Sequence, residues 1–276
     1  MSQSRRRRRT EGGTVYRPAR IGAPIAVPCD DYPVPVRNKR PDLNSVLVID
    51  KPHGWTSADV CRFIRARTGG AKVGHAGTLD PLATGVLVLC LGSETKRIDE
   101  IMAGRKHYEA TVDLAHFSTT DDAEGELTPV AVASPPTRAQ VDAACSAMVG
   151  EILQRPPAYS AIKVGGRRAY RLARQGKPPV LEPRPVSIHA VEVLEYGWPR
   201  LKLRIACGKG TYIRSLARDL GTSLTTGGTL TALRRTGVEP FTIAQALAPE
   251  DALNGLFPPA DQISACPRDI PGHNVS

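Results

Sequence analysis

The sequence is poor in the features that would place several functions at once. No apolar run approaches the ~20 residues that a bilayer-spanning helix needs. The opening MSQSRRRRRT is basic, but no apolar core of a secretory signal follows it. The six cysteines (Cys29, Cys61, Cys90, Cys145, Cys207 and Cys266) stand far apart, with no C-x-x-C pair and no histidine at metal-ligand spacing. Reduced thiols in a cytoplasmic protein are the expectation, with Cys90 and Cys207 ending strand-like apolar runs. No repeat of about 20–50 residues recurs, which excludes solenoids. The acidic stretch STTDDAEGEL sets Asp121, Asp122 and Glu124 close together, but its spacing departs from the D-x-[DN]-x-[DN]-G calcium loop. No metal is assigned there.

What the chain does have is core-forming material and basic charge. With 276 residues, 41% of them hydrophobic, it can bury a substantial core in one or two domains. The net charge of +10 is concentrated in two places. Residues 1–44 carry ten Arg or Lys against four Asp or Glu, and residues 154–185 carry eight against Glu182 alone, so the remainder is slightly acidic. The second patch also holds Tyr159 and Tyr170. Clustered cations interleaved with aromatics are the footprint of a polyanion partner, although a solvated basic face has the same composition.

Periodicity orders the middle of the chain. Residues 1–44 are rich in Pro and Arg and lack periodicity, so a flexible arm is expected. SVLVID reads as a strand ending at the turn KPHGW. SADVCRFIRARTGG reads as a helix with Val60, Phe63 and Ile64 inward, Ser57 as its cap and Gly69 at its end. VLVLCL is a continuous apolar strand covered on both faces. ETKRIDEIMAG suggests a helix, and KHYEATVDLA alternates Tyr108, Ala110, Val112 and Leu114 as a half-buried strand. TRAQVDAACSAMVG is an amphipathic helix with Val141, Ala144, Cys145 and Met148 inward. VSIHAVEVLEY and LKLRIAC read as neighbouring strands, GTYIRSLARDLG as a helix after a glycine turn, and TALRRTGVEPF as a further strand. The class is α+β, built on a large mixed sheet.

One carboxylate stands out. In VGHAGTLDPLATGVLVLCLG the only charged side chain is Asp80, between a glycine-broken loop and a buried run. Three glycines and Pro81 bend and fix that loop. Asp-Pro is also a common turn or N-cap pair, in which the aspartate bonds only backbone N–H groups. A functional carboxylate at the edge of a core needs a cation nearby, and a nearby arginine would hold its pKa low and keep it ionised. Arg214 and Lys51 are both available, and spacing alone does not choose between them.

These residues carry a resemblance. GHAGTLDPLATGVLVLCLGSETKR is similar to the signature of the TruB-type tRNA pseudouridine synthases. LVIDKPHGWTS resembles their lysine-proline motif, KHYEATVDLAHFSTTDDAEG their tyrosine strand, RPPAYSAIKVGGRRAYRLARQG their substrate-gripping segment, and GTYIRSLARDLG with LTALRRT their late motifs. The blocks keep the family's order across roughly residues 46–240. The resemblance implies a pseudouridine-synthase fold, a mainly antiparallel mixed sheet flanked by helices, with residues 45–257 as the catalytic domain and about 154–185 as a thumb over the RNA. It implies isomerisation of a tRNA uridine to pseudouridine, in most relatives uridine 55 of the T-loop, with no cofactor and no metal. The expected partner is tRNA through its T-arm, with a monomeric enzyme and no obligatory protein partner. Asp80 matches the catalytic aspartate, Arg214 the arginine that pairs with it, and Tyr108 the tyrosine that stacks on the flipped uracil. His75 matches a residue that helps hold the opened loop. Tyr212 and Leu233 match positions lining the uracil pocket, Lys51 supports the loop or touches RNA, and Lys163 and Arg167 lie in the RNA-facing thumb.

Two departures accompany the resemblance. Only 19 residues follow Phe257, four of them proline, too few for the small PUA domain that many bacterial relatives carry. The arginine-rich arm is the other, and phosphate contacts would give it a modest role in RNA affinity. Two rival readings remain at this stage: an RNA-binding or RNA-folding protein, and the guide-RNA-dependent relatives, which rely on the C-terminal domain missing here.

Overall fold

The protein is described by a computed structural model covering residues 43–256; the basic arm, apart from Leu43 and Asn44, and the tail expected at 258–276 lie outside the described residues. β1 (Ser45–Lys51) leads through a turn into α1 (Ser57–Arg67). A short β2 (Val73–His75) and a long β3 (Ala83–Leu91) flank the loop that carries Asp80. A 3₁₀ segment (Gly92–Arg97) and α2 (Ile98–Ala103) precede β4 (Lys106–Asp113). Then come the small hairpin β5 (His116–Ser118) and β6 (Leu127–Pro129), and α3 (Arg138–Ala147). β7 (Gly150–Gln154) opens the basic segment, where β8 (Lys163–Val164) and β9 (Arg167–Arg168) pair ahead of α4 (Ala169–Arg174). The chain continues through β10 (Arg184–Gly197), β11 (Arg200–Cys207), α5 (Ile213–Ser223), β12 (Thr229–Val238), β13 (Phe241–Thr242) and α6 (Pro249–Leu256).

The main sheet runs β1-β3-β12-β4-β11-β10-β7, with β2 and β13 attached to β3 and β12. Its ladders are antiparallel except between β3 and β12, which run side by side in the same direction. This is the mixed, mainly antiparallel sheet expected of the fold. β4 alternates buried and half-buried positions as its period-2 pattern requires, with Tyr108, Ala110 and Val112 inward. β3 is covered on both sides. Leu87, Leu89 and Leu91 enter the main core with α1, α3 and α5, while Val86, Val88 and Cys90 face a smaller cluster with Ile101 and Val238. Each fully buried leucine there contributes about 1.5–3 kcal/mol of burial.

Two local expectations are corrected. Ser57 is not the cap of α1. Thr56 takes that place, its hydroxyl accepting from Asp59 N while the Asp59 carboxylate accepts from Thr56 N. The Ser57 hydroxyl is unavailable for capping because it accepts from Leu79 N at 2.9 Å and donates to Leu79 O at 3.1 Å. The Asp80 loop is also shorter than its glycines suggest. Gly74 and His75 pair in β2 and Gly85 lies within β3, so only Gly77 bends the loop itself. At Gly85, φ is +97° and a Cβ would strike the backbone of Arg235, so glycine lets β12 lie close along β3.

Ser57 thus joins α1 to the residue before Asp80, inside the core. Ser57→Ala strips both backbone groups of Leu79 of this partner and should destabilise the protein by about 1–3 kcal/mol. Urea titration checks this, with a lowered midpoint and an unchanged m-value as the expected result.

Candidate active site

The loop at 76–82 is held at four points. Ser57 fixes Leu79. Lys51 Nζ donates to Pro52 O (2.8 Å), Trp55 O (2.6 Å) and Pro81 O (3.4 Å). Gly54 N donates to Pro81 O at 2.8 Å, and Arg235 Nη2 donates to Gly77 O at 3.1 Å. Ala83 N closes a turn onto Asp80 O at 3.0 Å. The backbone around Asp80 is therefore fixed, while its side chain keeps 38% of its accessible surface.

Arg214 meets that side chain from the first turn of α5, its Nε 3.0 Å from Asp80 Oδ2. The N–H is not aimed along this line, so the contact is an ion pair rather than a linear hydrogen bond. The guanidinium is shared. Nη1 donates to Thr120 O (3.0 Å) and lies 3.3 Å from Asp122 Oδ2, and Nη2 donates to Tyr159 O at 2.9 Å. Of the two cations available to Asp80, the structure selects Arg214 as the contact and Lys51 as a neighbour felt through the field.

The expected consequence of that pairing is corrected. Arg214 does not hold Asp80 low. Burial pushes the carboxyl above its ordinary 3.8, Arg214 opposes this, and Asp122 adds to it. One guanidinium divided between two carboxylates and two carbonyls cannot neutralise either anion fully. The acidic stretch first weighed for a metal supplies these partners: Asp122 sits on Arg214, and Asp121 lies 2.8 Å from Arg218.

The remaining expected site residues fall into three groups. Tyr108 is only 8% exposed and stands opposite Arg235 across the β12–β4 ladder. Burial raises its pKa, and Asp80 is near enough to contribute. Tyr212 precedes α5, pinned by Gln154, whose amide accepts from Tyr212 N (2.8 Å) and donates to Tyr212 O (3.2 Å). Its phenol is likewise raised by burial and feels both Arg214 and Asp80. Asp80, Arg214, Tyr108 and Tyr212 therefore share one electrostatic neighbourhood.

Of the two roles expected for Lys51, loop support and RNA contact, its burial fits the first. It is 0% exposed, its ammonium is taken up by backbone carbonyls, and burial lowers its pKa to about 8, with Asp80 opposing. His75 lies on β2, half-buried, its Nδ1 enclosed without a partner and its pKa lowered by burial and then by Arg235. Leu233 is buried in the main core opposite Ala110 and also borders a cleft of about 330 Å³. That cleft is lined by Glu109, Thr111, Lys202 and Arg234 and excludes Asp80 and Tyr108. Since Glu109 and Thr111 alternate with Tyr108 and Ala110, the cleft belongs to the reverse of the sheet.

The third group is the thumb. Lys163 and Arg167 are exposed on the β8–β9 hairpin. The base of this segment is tied to α5: Ser215 and Arg218 both donate to Arg155 O at 2.9 Å, and Arg214 bonds Tyr159 O. Two residues were not singled out as site residues from sequence, Asp122 and Arg235. For Arg235 a signal existed, since the β-strand period that turns Leu233 inward also turns in the residue two positions later.

The family model for the TruB family pseudouridylate synthase, N-terminal domain, matches residues 65–213, which is over half the chain. The tRNA pseudouridine synthase B of Thermobifida fusca (strain YX) is 46% identical over 255 residues, covering 84% of this chain and 87% of that protein. The chain belongs to the TruB pseudouridylate synthase family. A further relative, the tRNA pseudouridine synthase B of Bacteroides fragilis (strain YCH46), is 46% identical over 212 residues, or 74% of this chain and 90% of that one. Among solved structures, a chain of a Cbf5-Nop10-Gar1 complex matches with a TM-score of 0.62 and 28% identity. That likeness covers 79% of this chain and 56% of the other.

The elevated pKa of Asp80 has a sign that can be tested. The stability given by its protonated form is complete below the ordinary 3.8 and is lost as pH rises through the higher folded value. At neutral pH the ionised carboxylate is a net cost to folding. Asp80→Asn should therefore melt at the same temperature as wild type or higher at pH 7. The gap should close as pH falls towards 3.8 in a calorimetric pH series.

Proposed function

We infer that the chain is an isomerase that converts uridine to pseudouridine in tRNA, at uridine 55 of the T-loop. The observation that carries this reading is the Asp80–Arg214 pair, an accessible carboxylate on a backbone fixed at four points, within a chain of the TruB family. The reaction breaks the bond from ribose C1′ to uracil N1, turns the base and rejoins it through C5, with no atoms gained. Addition to the base, attack on the sugar and removal of a ribose proton all require an ionised carboxylate within reach. A carboxylate whose charged form is disfavoured by its surroundings and only partly neutralised is more basic and more nucleophilic than a free aspartate.

The target base must leave its stack to react, at a cost on the order of a few kcal/mol. Tyr108 and Tyr212 are the aromatic groups near Asp80 that we assign to the flipped uracil, with Leu233 behind them and His75 beside the opened loop. Lys163 and Arg167, with the other cations of residues 154–185, are assigned to phosphate contacts. The exposure of that hairpin, and the hydrogen bonds from α5 to its base, support a thumb that closes over the T-arm. The four described cysteines are free and buried, which supports a reducing, cytoplasmic setting, and we assign the enzyme as a monomer.

Single-turnover modification of an unmodified tRNA transcript, with the modified position mapped, tests this reading. Wild type should give pseudouridine at the T-loop position and Asp80→Asn none above background. Tight binding without pseudouridine from either protein would move the function to RNA binding or folding. A requirement for added guide RNA would move it to the guide-directed type.

A further inference from the structure

Gln154 is the last residue of β7 and is only 1% exposed, with Arg184 opposite it across the β7–β10 ladder. A buried amide needs partners for both its acceptor and its donor, so its hydrogen bonds indicate what it is kept for. Both go to one residue distant in sequence: Oε1 accepts from Tyr212 N at 2.8 Å, and Nε2 donates to Tyr212 O at 3.2 Å. The chain leading to Tyr212 offers less restraint. Residues 208–211 include Gly208 and Gly210, and at Gly210 φ is +82° with open space where a Cβ would stand. No side-chain hydrogen bond caps α5 at Tyr212, whose backbone is extended. A cleft of about 160 Å³ also opens beside Tyr212, bordered by Gln154, Pro156, Ile162 and Arg184. The tyrosine is thus not enclosed on every side, and the amide supplies a restraint that packing does not.

Building on the isomerase reading above, we propose that Gln154 is a positioning residue of the reaction, acting through Tyr212. With both its N–H and its C=O held, Tyr212 has its two flanking peptide planes set, and with them the direction of its Cα–Cβ bond. That bond carries the ring assigned above to the flipped uracil. Tyr212 stands two residues before Arg214, whose Nε lies 3.0 Å from Asp80 Oδ2, so one turn of chain presents both the ring and the partner of the carboxylate. The residue after Gln154 is clamped to the same helix. The carbonyl of Arg155 accepts from Ser215 and Arg218 of α5, both at 2.9 Å. Gln154 and Arg155 together join the end of β7, where the basic segment begins, to the start of α5. Glutamine suits this place because its amide sets an acceptor and a donor side by side. Methionine, of similar length, offers at most a weak acceptor, and asparagine carries the same amide one carbon shorter.

Two measurements on the full chain test this. In the first, 3-fluorotyrosine replaces tyrosine and is read by ¹⁹F NMR, the Tyr212 signal being assigned by its loss in Tyr212→Phe. Gln154→Met should shift or broaden the Tyr212 signal and leave in place that of Tyr196, whose hydroxyl is held by Pro136 O. The second is single-turnover kinetics with enzyme in excess over an unmodified tRNA transcript. The proteins are wild type, Gln154→Met, Gln154→Asn, Tyr212→Ala and the double variant Tyr212→Ala with Gln154→Met. Misplacement of a group around the reacting base lowers the chemical rate, so Gln154→Met should reduce the saturating rate on the order of 10-fold. The half-saturating enzyme concentration should stay within about twofold of wild type, as for a group that acts on the chemical step and not on binding. In the Tyr212→Ala background there is no ring to place, so the same substitution should cost several-fold less. A purely structural role predicts a reduced amplitude from fewer folded molecules and an equal fold-loss in both backgrounds. An unmoved Tyr212 signal, equal losses, or a change confined to amplitude or half-saturation would overturn the proposal. If Gln154→Met does not fold, Gln154→Asn is compared in the same two backgrounds and decides by the same criteria. A wild type that forms no pseudouridine would instead sink the isomerase reading, while the NMR comparison still decides whether Gln154 holds Tyr212.

Discussion

Arg214 makes contacts in four directions at once: to Asp80, to Asp122, to the carbonyl of Thr120 and to the carbonyl of Tyr159. Because α5 places it in its first turn, the helix that fixes the base of the thumb also fixes the partner of the reactive carboxylate. Sharing is the central feature. A guanidinium devoted to Asp80 alone would hold it as a quiet ion pair of low basicity. Divided with Asp122 and two carbonyls, it leaves Asp80 partly uncompensated in a site that burial has already made hostile to charge.

The surroundings restrain that charge. Loop 76–82 is tied to α1 by Ser57, to the turn after β1 by Lys51 and to β12 by Arg235, so Asp80 cannot relax towards solvent by moving its backbone. Two of these ties use buried cations without a salt bridge among the described residues. Folding stability is spent on the geometry of the site, a pattern familiar from functional centres, where strain and desolvation are held in place by a well-packed frame. Here the frame is β3, packed on both faces, and β4 and β12 beside it.

Much of this was legible in the sequence, and the division is physical. β3 and β4 could be read because burial imprints a local period on a strand, and α3 because its apolar positions recur at helical spacing. The resemblance to the family supplied Asp80, Arg214 and Tyr108, and the structure brings these into one neighbourhood. What failed depended on contacts distant in sequence. Whether Lys51 faced RNA or the core was fixed by its burial and by the carbonyls of Pro52, Trp55 and Pro81, which spacing does not reveal. Ser57 looked like a cap because its bond to Leu79 lies across the fold. The direction of the Asp80 shift was misjudged because burial by residues distant in sequence outweighs Arg214, and Asp122 from another loop adds to it.

The most direct measurement is a carboxyl ¹³C NMR titration of Asp80 in wild type and in Asp122→Asn. A shared guanidinium predicts a wild-type midpoint above the ordinary 3.8, and a lower midpoint once Asp122 no longer competes for Arg214. A wild-type midpoint at or below 3.8, or one that does not respond to Asp122→Asn, would contradict the account.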